Sequence, residues 1–173
     1  MKSVTLITGG ARSGKSAHAL AIAANTNGAR RFFIATAEAL DAEMTARIAR
    51  HRADRAPDFA TVEEPCELAR ALGALAGRAD VVVVDCLTLW VSNLMMAAHT
   101  DEEILAAADM LARALENAPF DCVVVTDEVG WGLVPDNPMG RRFRDLLGWT
   151  NQRIADVASE VLLMVAGAVL KIK

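Results

Sequence analysis

Short apolar runs alternate along the chain with longer stretches whose apolar positions recur at helical spacing. The strand-like runs are Val4–Thr8, Arg31–Thr36, Val81–Asp85, Asp121–Thr126 and Glu160–Val165, with a last one near Val169–Lys173. Val81–Val84 and Val123–Val125 are uninterrupted apolar runs. A strand with one wet face alternates apolar with polar residues, so an uninterrupted run marks a strand covered on both faces, as in a parallel sheet. Helical patterns occupy Gly14–Ala24, Asp41–Arg55, Cys66–Ala76, Leu87–Ala97, Asp101–Glu116 and Met139–Ser159, with Asp41 and Asp101 placed to cap two of them. Strand–helix alternation of this kind predicts an α/β fold, a mostly parallel central sheet flanked by helices with right-handed crossovers. Two loops stand out, Asn25–Arg30 and Asp127–Pro138. The second is rich in glycine and proline, and structureless connections of that length are usually functional.

At 173 residues the chain is expected to form one domain or two small ones. It shows no linker, repeat or low-complexity tract, which favours a single domain over residues 1–173 that buries its own core without staples. Hydrophobic residues make up 53% and charged residues 23%, the balance of a globular chain and not of a disordered one. The net charge of −4 argues against a general nucleic-acid binder, whose domain is strongly basic. The longest apolar run, Val161–Leu170, falls well short of the roughly 18 residues of a membrane span. Val4–Ile7 is too short for the apolar core of a signal peptide. Cys66, Cys86 and Cys122 are far apart and odd in number, which fits free thiols in a reducing compartment; the expected setting is cytoplasmic.

The sharpest motif is Gly9-Gly10-Ala11-Arg12-Ser13-Gly14-Lys15-Ser16, which matches GxxxxGK[ST] between a strand and a helix. In such a loop the glycines let backbone N–H groups turn inward around phosphates, and the helix N-terminus adds partial positive charge. Lys15 is then the residue that reaches the β- and γ-phosphates, and the Ser16 hydroxyl the ligand for Mg2+. The bland alternative, a glycine-rich turn that only joins strand to helix, does not require the full eight-residue pattern. A phosphate loop of this type needs an acid at the end of a neighbouring strand. Asp85 and the pair Asp127-Glu128 both end apolar runs; Asp85 is favoured because it directly follows four valines.

Of three histidines, His18 lies one turn after the loop and reads as helix surface or packing, and His99 reads as surface. His51 differs. Glu43, Arg47, His51 and Arg55 are successive i,i+4 neighbours of one helical face, and Arg50 and Arg52 flank the histidine. Neighbouring cations disfavour the charged imidazole. A neutral imidazole can attack phosphorus while arginines hold the phosphates; a solvated basic helix face is an equal reading of the spacing alone. Arg141-Arg142-Phe143-Arg144 is a further cationic cluster, suited to an anionic substrate or to an ordinary helix start. Trp131 either covers a bound ring or packs on the core.

Taken together, these segments resemble one family, the bifunctional adenosylcobinamide kinase/adenosylcobinamide-phosphate guanylyltransferases of cobalamin biosynthesis. The resemblance is carried by TGGARSGKS at Thr8–Ser16, IATAEALDAEM at Ile34–Met44 and RIARHRADR at Arg47–Arg55. It continues through VVVVDCLTLWVSNL at Val81–Leu94, the stretch Thr126–Val161 that begins TDEVGWGLVP, and GAVLKIK at Gly167–Lys173. It implies a RecA-like P-loop NTPase fold and a trimer. It implies phosphorylation of the aminopropanol hydroxyl of adenosylcobinamide by GTP or ATP, then GMP transfer from GTP to that phosphate through a guanylyl-histidine. His51 is the matching histidine. The implied GTP contacts are Gly9–Ser16, Ile34, Ala35, Thr36, the stretch Arg52-Ala53-Asp54-Arg55, Glu63 and Asp85. Some members carry Glu where Asp85 stands. Two other readings of the phosphate loop remain: a P-loop kinase of another small hydroxyl compound, and a GTP-sensing module without turnover.

Overall fold

The computed structural model describes residues 2–38 and 58–173. The helix expected over Asp41–Arg55, with His51 and the arginines around it, lies outside the described residues. The elements in chain order are β1 (Val4–Gly9), α1 (Lys15–Asn25), β2 (Arg31–Ala35), β3 (Phe59–Glu63), α2 (Leu68–Ala74) and β4 (Val81–Asp85). They continue with α3 (Leu87–Met96), α4 (Asp101–Glu116), β5 (Asp121–Val125), α5 (Pro138–Val157), β6 (Glu160–Val165) and β7 (Ala168–Lys171). Among the described residues one seven-stranded sheet runs in the order β3-β2-β4-β5-β1-β6-β7. Neighbouring pairs are parallel except for the antiparallel β6–β7 hairpin. The α/β expectation therefore holds.

The uninterrupted valines show why the sheet needs cover on both sides. Val82 and Val84 belong to one core cluster with Leu6, Val124 and the inward faces of α2, α3, α4 and α5, including Leu68, Trp90, Leu111 and Leu146. Val81 and Val83 belong to a second cluster with Ile7, Phe33, Val123 and the α1 residues Ala19 and Ala23. The period of two along a strand sends alternate valines to opposite faces, and each face meets helices. Each fully buried side chain of this size contributes roughly 1.5–3 kcal/mol.

The sequence reading passed over β3. Only Phe59 of FATVE is buried, and the strand pairs on one side alone, with β2, so the apolar signal is weak. The cap of α4 is Thr100 and not Asp101: the Thr100 hydroxyl accepts from Glu103 N–H while the Glu103 carboxylate accepts from Thr100 N–H. A hydroxyl at N-cap with Glu three residues on satisfies two orphan donors at once. Asn25 closes α1 and is not part of the following loop. Helix α2 starts at Leu68 and not at Cys66, because the Glu64 carboxylate takes the N–H groups of Cys66 and Glu67, and the Cys66 carbonyl accepts from Trp90 Nε1 at 2.7 Å. The apolar run Val161–Leu170 is a hairpin, turned at Ala166 and Gly167, both with positive φ.

One exposed knot ties the entry to β2 onto the start of β4. Asp80 accepts from Arg30 N–H at 3.0 Å and from Arg30 Nη2 at 2.6 Å, while Arg30 Nη1 reaches the Gly77 carbonyl. Gly28, at φ +125°, passes so close that an added Cβ would stand 2.4 Å from Asp80 Cβ. The Arg30 side chain, then its backbone N–H, hold the Asp80 carboxyl down at about 2. A carboxyl whose folded value is depressed adds stability above its unfolded value near 4, and that stability is lost as pH falls toward about 2. Acid titrations of Tm on wild-type and Asp80→Asn protein should therefore converge below about pH 2 and separate above about pH 4, the variant being less stable; identical curves at neutral pH would show that the knot adds nothing.

Candidate active site

The carboxyl ends of the parallel strands line up along one edge. Ala35 stands opposite Glu63 and Asp85, Asp85 opposite Val125, and Val125 opposite Ile7. This edge is where open α/β sheets take ligands. The structure thus brings together, at successive strand ends, the loop Gly9–Ser16, Thr36, Glu63, Asp85 and Asp127-Glu128.

The loop is held from two sides. Ser13 N–H donates to the Gly10 carbonyl at 3.3 Å, and Gly167 N–H, from the β6–β7 turn, donates to the Ser13 carbonyl at 3.1 Å. Gly9, at φ +143°, lies against β6, where an added Cβ would stand 2.3 Å from the Met164 carbonyl oxygen. Gly14, at φ +99°, makes the left-handed entry into α1. These two positions require glycine on steric grounds. Lys15 opens α1, and its ammonium is almost wholly buried. Its Nζ lies 2.7 Å from Asp127 Oδ1, 2.6 Å from the Gly10 carbonyl and 3.4 Å from Ser13 Oγ. A buried ammonium without such partners carries a large desolvation cost.

Asp127 is itself positioned. Its N–H donates to Thr88 Oγ1 at 3.0 Å, and its carbonyl accepts from Asn151 Nδ2 at 3.1 Å. Asn151 is fixed in turn by the buried Thr126 hydroxyl at 2.7 Å. Glu128 donates its N–H to the Gly9 carbonyl and accepts from the Thr8 hydroxyl at 3.0 Å. Of the two acids weighed from the sequence, it is Asp127 that meets Lys15; Asp85 ends β4, which β5 separates from β1. Spacing along the chain held no signal for Thr88 or Asn151, whose role comes from contacts across the fold.

The expected nucleotide contacts divide. The Ile34 side chain is fully buried in the core. The Thr36 hydroxyl is used internally, donating to the Cys86 carbonyl at 2.8 Å and accepting from Cys86 N–H at 2.7 Å. Ala35 and Asp85 are half-buried and Glu63 is exposed. Burial pushes the Cys86 thiol up to about 12, so it stays protonated at neutral pH. Ser16 is half-buried in the first turn of α1. Hydroxyl and carboxylate are the hard-oxygen donors with which Mg2+ is held beside substrate phosphates, so Ser16, Asp85 and Asp127 have the donor chemistry that suits that ion.

The arginine cluster after the loop does not act as one. Arg141 donates to the Pro135 carbonyl. Arg142 braces α5 to α4, reaching Asp101 Oδ1 at 2.6 Å and the His99 carbonyl at 2.7 Å. Arg144 lines a cavity with Asp127, Glu128 and Gly148. His99 sits 3.5 Å from Glu103 on the exposed start of α4. Trp131 is 70% exposed and does not pack on the core.

Comparison with known proteins matches residues 5–172 to the family described as cobinamide kinase / cobinamide phosphate guanyltransferase. The chain belongs to this family. Among its curated relatives is the bifunctional adenosylcobalamin biosynthesis protein CobP of Pseudomonas aeruginosa, 40% identical over 168 residues, covering 97% of this chain and 96% of the relative. The proteins of the same description named CobU are 39% identical in Escherichia coli and 38% in Salmonella typhimurium, each over 180 residues, covering 97% of this chain and 98% of the relative. Members of this family have a P-loop NTPase-like fold, in keeping with the sheet order and the loop at the end of β1. Among the described residues no helix is long and apolar enough to cross a membrane.

Removing Asp127 leaves the buried Lys15 ammonium short of its counter-charge. Asp127→Ala should lose about 1–3 kcal/mol of stability. A nucleoside triphosphate replaces the missing anion, so saturating triphosphate should raise the Tm of the variant more than that of wild type. An equal triphosphate-induced rise in Tm in the variant and in wild type would refute this account of the ion pair.

Proposed function

We infer that this chain performs both reactions for which its family is named. It phosphorylates the aminopropanol hydroxyl of adenosylcobinamide with GTP or ATP, then transfers GMP from GTP to that phosphate, giving adenosylcobinamide-GDP and pyrophosphate. The observation that carries the reading is a family match over residues 5–172 on a chain whose phosphate loop is complete.

In the kinase step the N–H groups of Gly9–Ser16 and the N-terminus of α1 cradle the phosphates, and Lys15 exchanges Asp127 for the β- and γ-phosphates. Ser16 would hold Mg2+, with Asp85 or Asp127 reaching it through water; the ion, when bound, neutralises charge developing on the transferred group. In the transferase step the neutral imidazole of His51 attacks the α-phosphorus of GTP. A P–N bond forms as the bond to pyrophosphate breaks. An oxygen of adenosylcobinamide phosphate then displaces the histidine. Arg52 and Arg55 bind phosphate oxygens during both displacements, and Glu63, Asp85 and the Ile34–Thr36 backbone border the nucleotide. A trimeric assembly and a cytoplasmic setting belong to the same reading.

Incubation with GTP labelled at the α-phosphate should leave an acid-labile, base-stable label on wild-type protein and none on His51→Ala. His51→Ala should lose guanylyl transfer and keep part of its kinase activity, whereas Lys15→Ala should damage both. Equal labelling of wild type and His51→Ala would sink the assigned nucleophile; an unlabelled wild type that still phosphorylates another hydroxyl compound would replace the function.

A further inference from the structure

A cavity of about 250 Å³ opens between the start of the Asp127–Pro138 loop and α5, with Asp127, Glu128, Gly130, Arg144 and Gly148 on its wall. It adjoins the phosphate loop through two wall residues: Asp127 pairs with Lys15, and Glu128 N–H donates to the Gly9 carbonyl. The volume is below the roughly 300–1,000 Å³ of pockets that enclose a whole drug-sized ligand. It suits a short polar arm and excludes a macrocycle. Trp149 is on the wall, and the loop that starts there carries on along the chain into Trp131, Leu133 and Val134, which are 70%, 96% and 66% exposed. Solvent-exposed aromatic and aliphatic side chains gathered beside a cavity mark a binding surface for a large, partly apolar partner.

We propose that this cavity is the acceptor subsite of the kinase reaction, taking the hydroxyl-bearing arm of cobinamide while the apolar rim carries the ring, and that Glu128 accepts the hydroxyl proton. The proposal rests on the functional reading above and names the place and the base within it.

Of the three acids on the wall, Asp145 lies on α5, and the choice between Asp127 and Glu128, which both contact the phosphate loop, follows from their partners. Asp127 is neutralised by the Lys15 ammonium at 2.7 Å. Glu128 is aimed by uncharged groups only: its N–H donates to the Gly9 carbonyl, and its Oε1 accepts from the Thr8 hydroxyl. No cation among the described residues pairs with its carboxylate, and its contact with Gly9 sets it beside the phosphate loop. In the step, the arm's oxygen bonds to the γ-phosphorus and the bond to the β–γ bridging oxygen breaks. The nucleoside diphosphate leaves, and the proton passes to Glu128. Arg144 has no ion pair among the described residues and lines the same cavity. It is placed to meet the new phosphate dianion, which is the acceptor of the second reaction.

Four variants of the whole chain test this with cobinamide, cobinamide phosphate and GTP as probes. At Gly148 an added Cβ meets nothing within 4 Å, so Gly148→Leu extends into the cavity without a clash in α5. It should raise the KM for cobinamide about tenfold or more while the Kd for GTP holds. Glu128→Gln should lower the kinase kcat by about 10²–10⁴-fold with little change in KM, and Glu128→Asp should recover part of the loss. Arg144→Gln should raise the KM for cobinamide phosphate in guanylyl transfer and leave labelling by GTP unchanged. A wild-type KM for cobinamide in Gly148→Leu overturns the subsite. A wild-type kcat in Glu128→Gln overturns the base. Wild-type protein that binds GTP but never phosphorylates cobinamide overturns instead the functional reading on which the proposal rests.

Discussion

An ammonium group taken out of water has to be met by negative charge or by carbonyl oxygens. Lys15 imposes that requirement on everything around it. In the described structure Asp127, the Gly10 carbonyl and Ser13 meet it. Asp127 can do so only because Thr88 and Asn151 fix its backbone, and Asn151 because Thr126 fixes its amide. The network runs from the end of β5 into α3 and α5, so both helices are committed to the geometry of one charge. A bound triphosphate offers the same ammonium more negative charge than one carboxylate does. Exchange of partners at Lys15 therefore needs no large rearrangement of the strands.

The parallel sheet supplies the rest of the arrangement. Parallel register places every strand's carboxyl end on the same edge, so chemically unlike groups from distant parts of the chain become neighbours without special contacts. The phosphate loop, Asp85 and Asp127-Glu128 are brought within a few strand spacings of about 4.8 Å each. The antiparallel β7 breaks this rule at the far edge, where its turn closes on Ser13 and holds the phosphate loop from outside.

Much of this was legible in the sequence because it depends on local rules. Uninterrupted valines report two covered faces, and GxxxxGK[ST] between a strand and a helix reports the loop. The parts that were not legible are those decided by contacts far apart in the chain. Phe59–Glu63 has a single buried residue, so its strand pairing left no apolar pattern to find. Asp101 looked like a cap, but the Thr100–Glu103 pair, one step earlier, satisfies two backbone groups where Asp101 satisfies one. Asp85, after four valines, and Asp127-Glu128 end neighbouring strands on the same edge, and it is sheet order, which no spacing rule carries, that sets Asp127 against Lys15. The three arginines after the loop looked like one cluster; helical geometry points them to a carbonyl, to a neighbouring helix and to a cavity.

Net charge is a poor guide to a site like this one. The chain carries −4 overall, yet both reactions assigned to it bind a nucleoside triphosphate. The reconciliation lies in distribution. Asp80, just before β4, is engaged with Arg30 at the end of the sheet away from the ligand edge, and Asp101 is engaged with Arg142 between α4 and α5; both pairs serve the fold. At that edge, Lys15 and Arg144 face the space where phosphates would sit, while Asp127 stands in for phosphate until one arrives. Field strength at a binding edge is set by the few charges within a Debye length of about 8 Å and not by the sum over the surface. A chain can therefore stay acidic and still bind a triphosphate, provided that its acids are either paired elsewhere or, like Asp127, stand where the ligand's own negative charge can take their place.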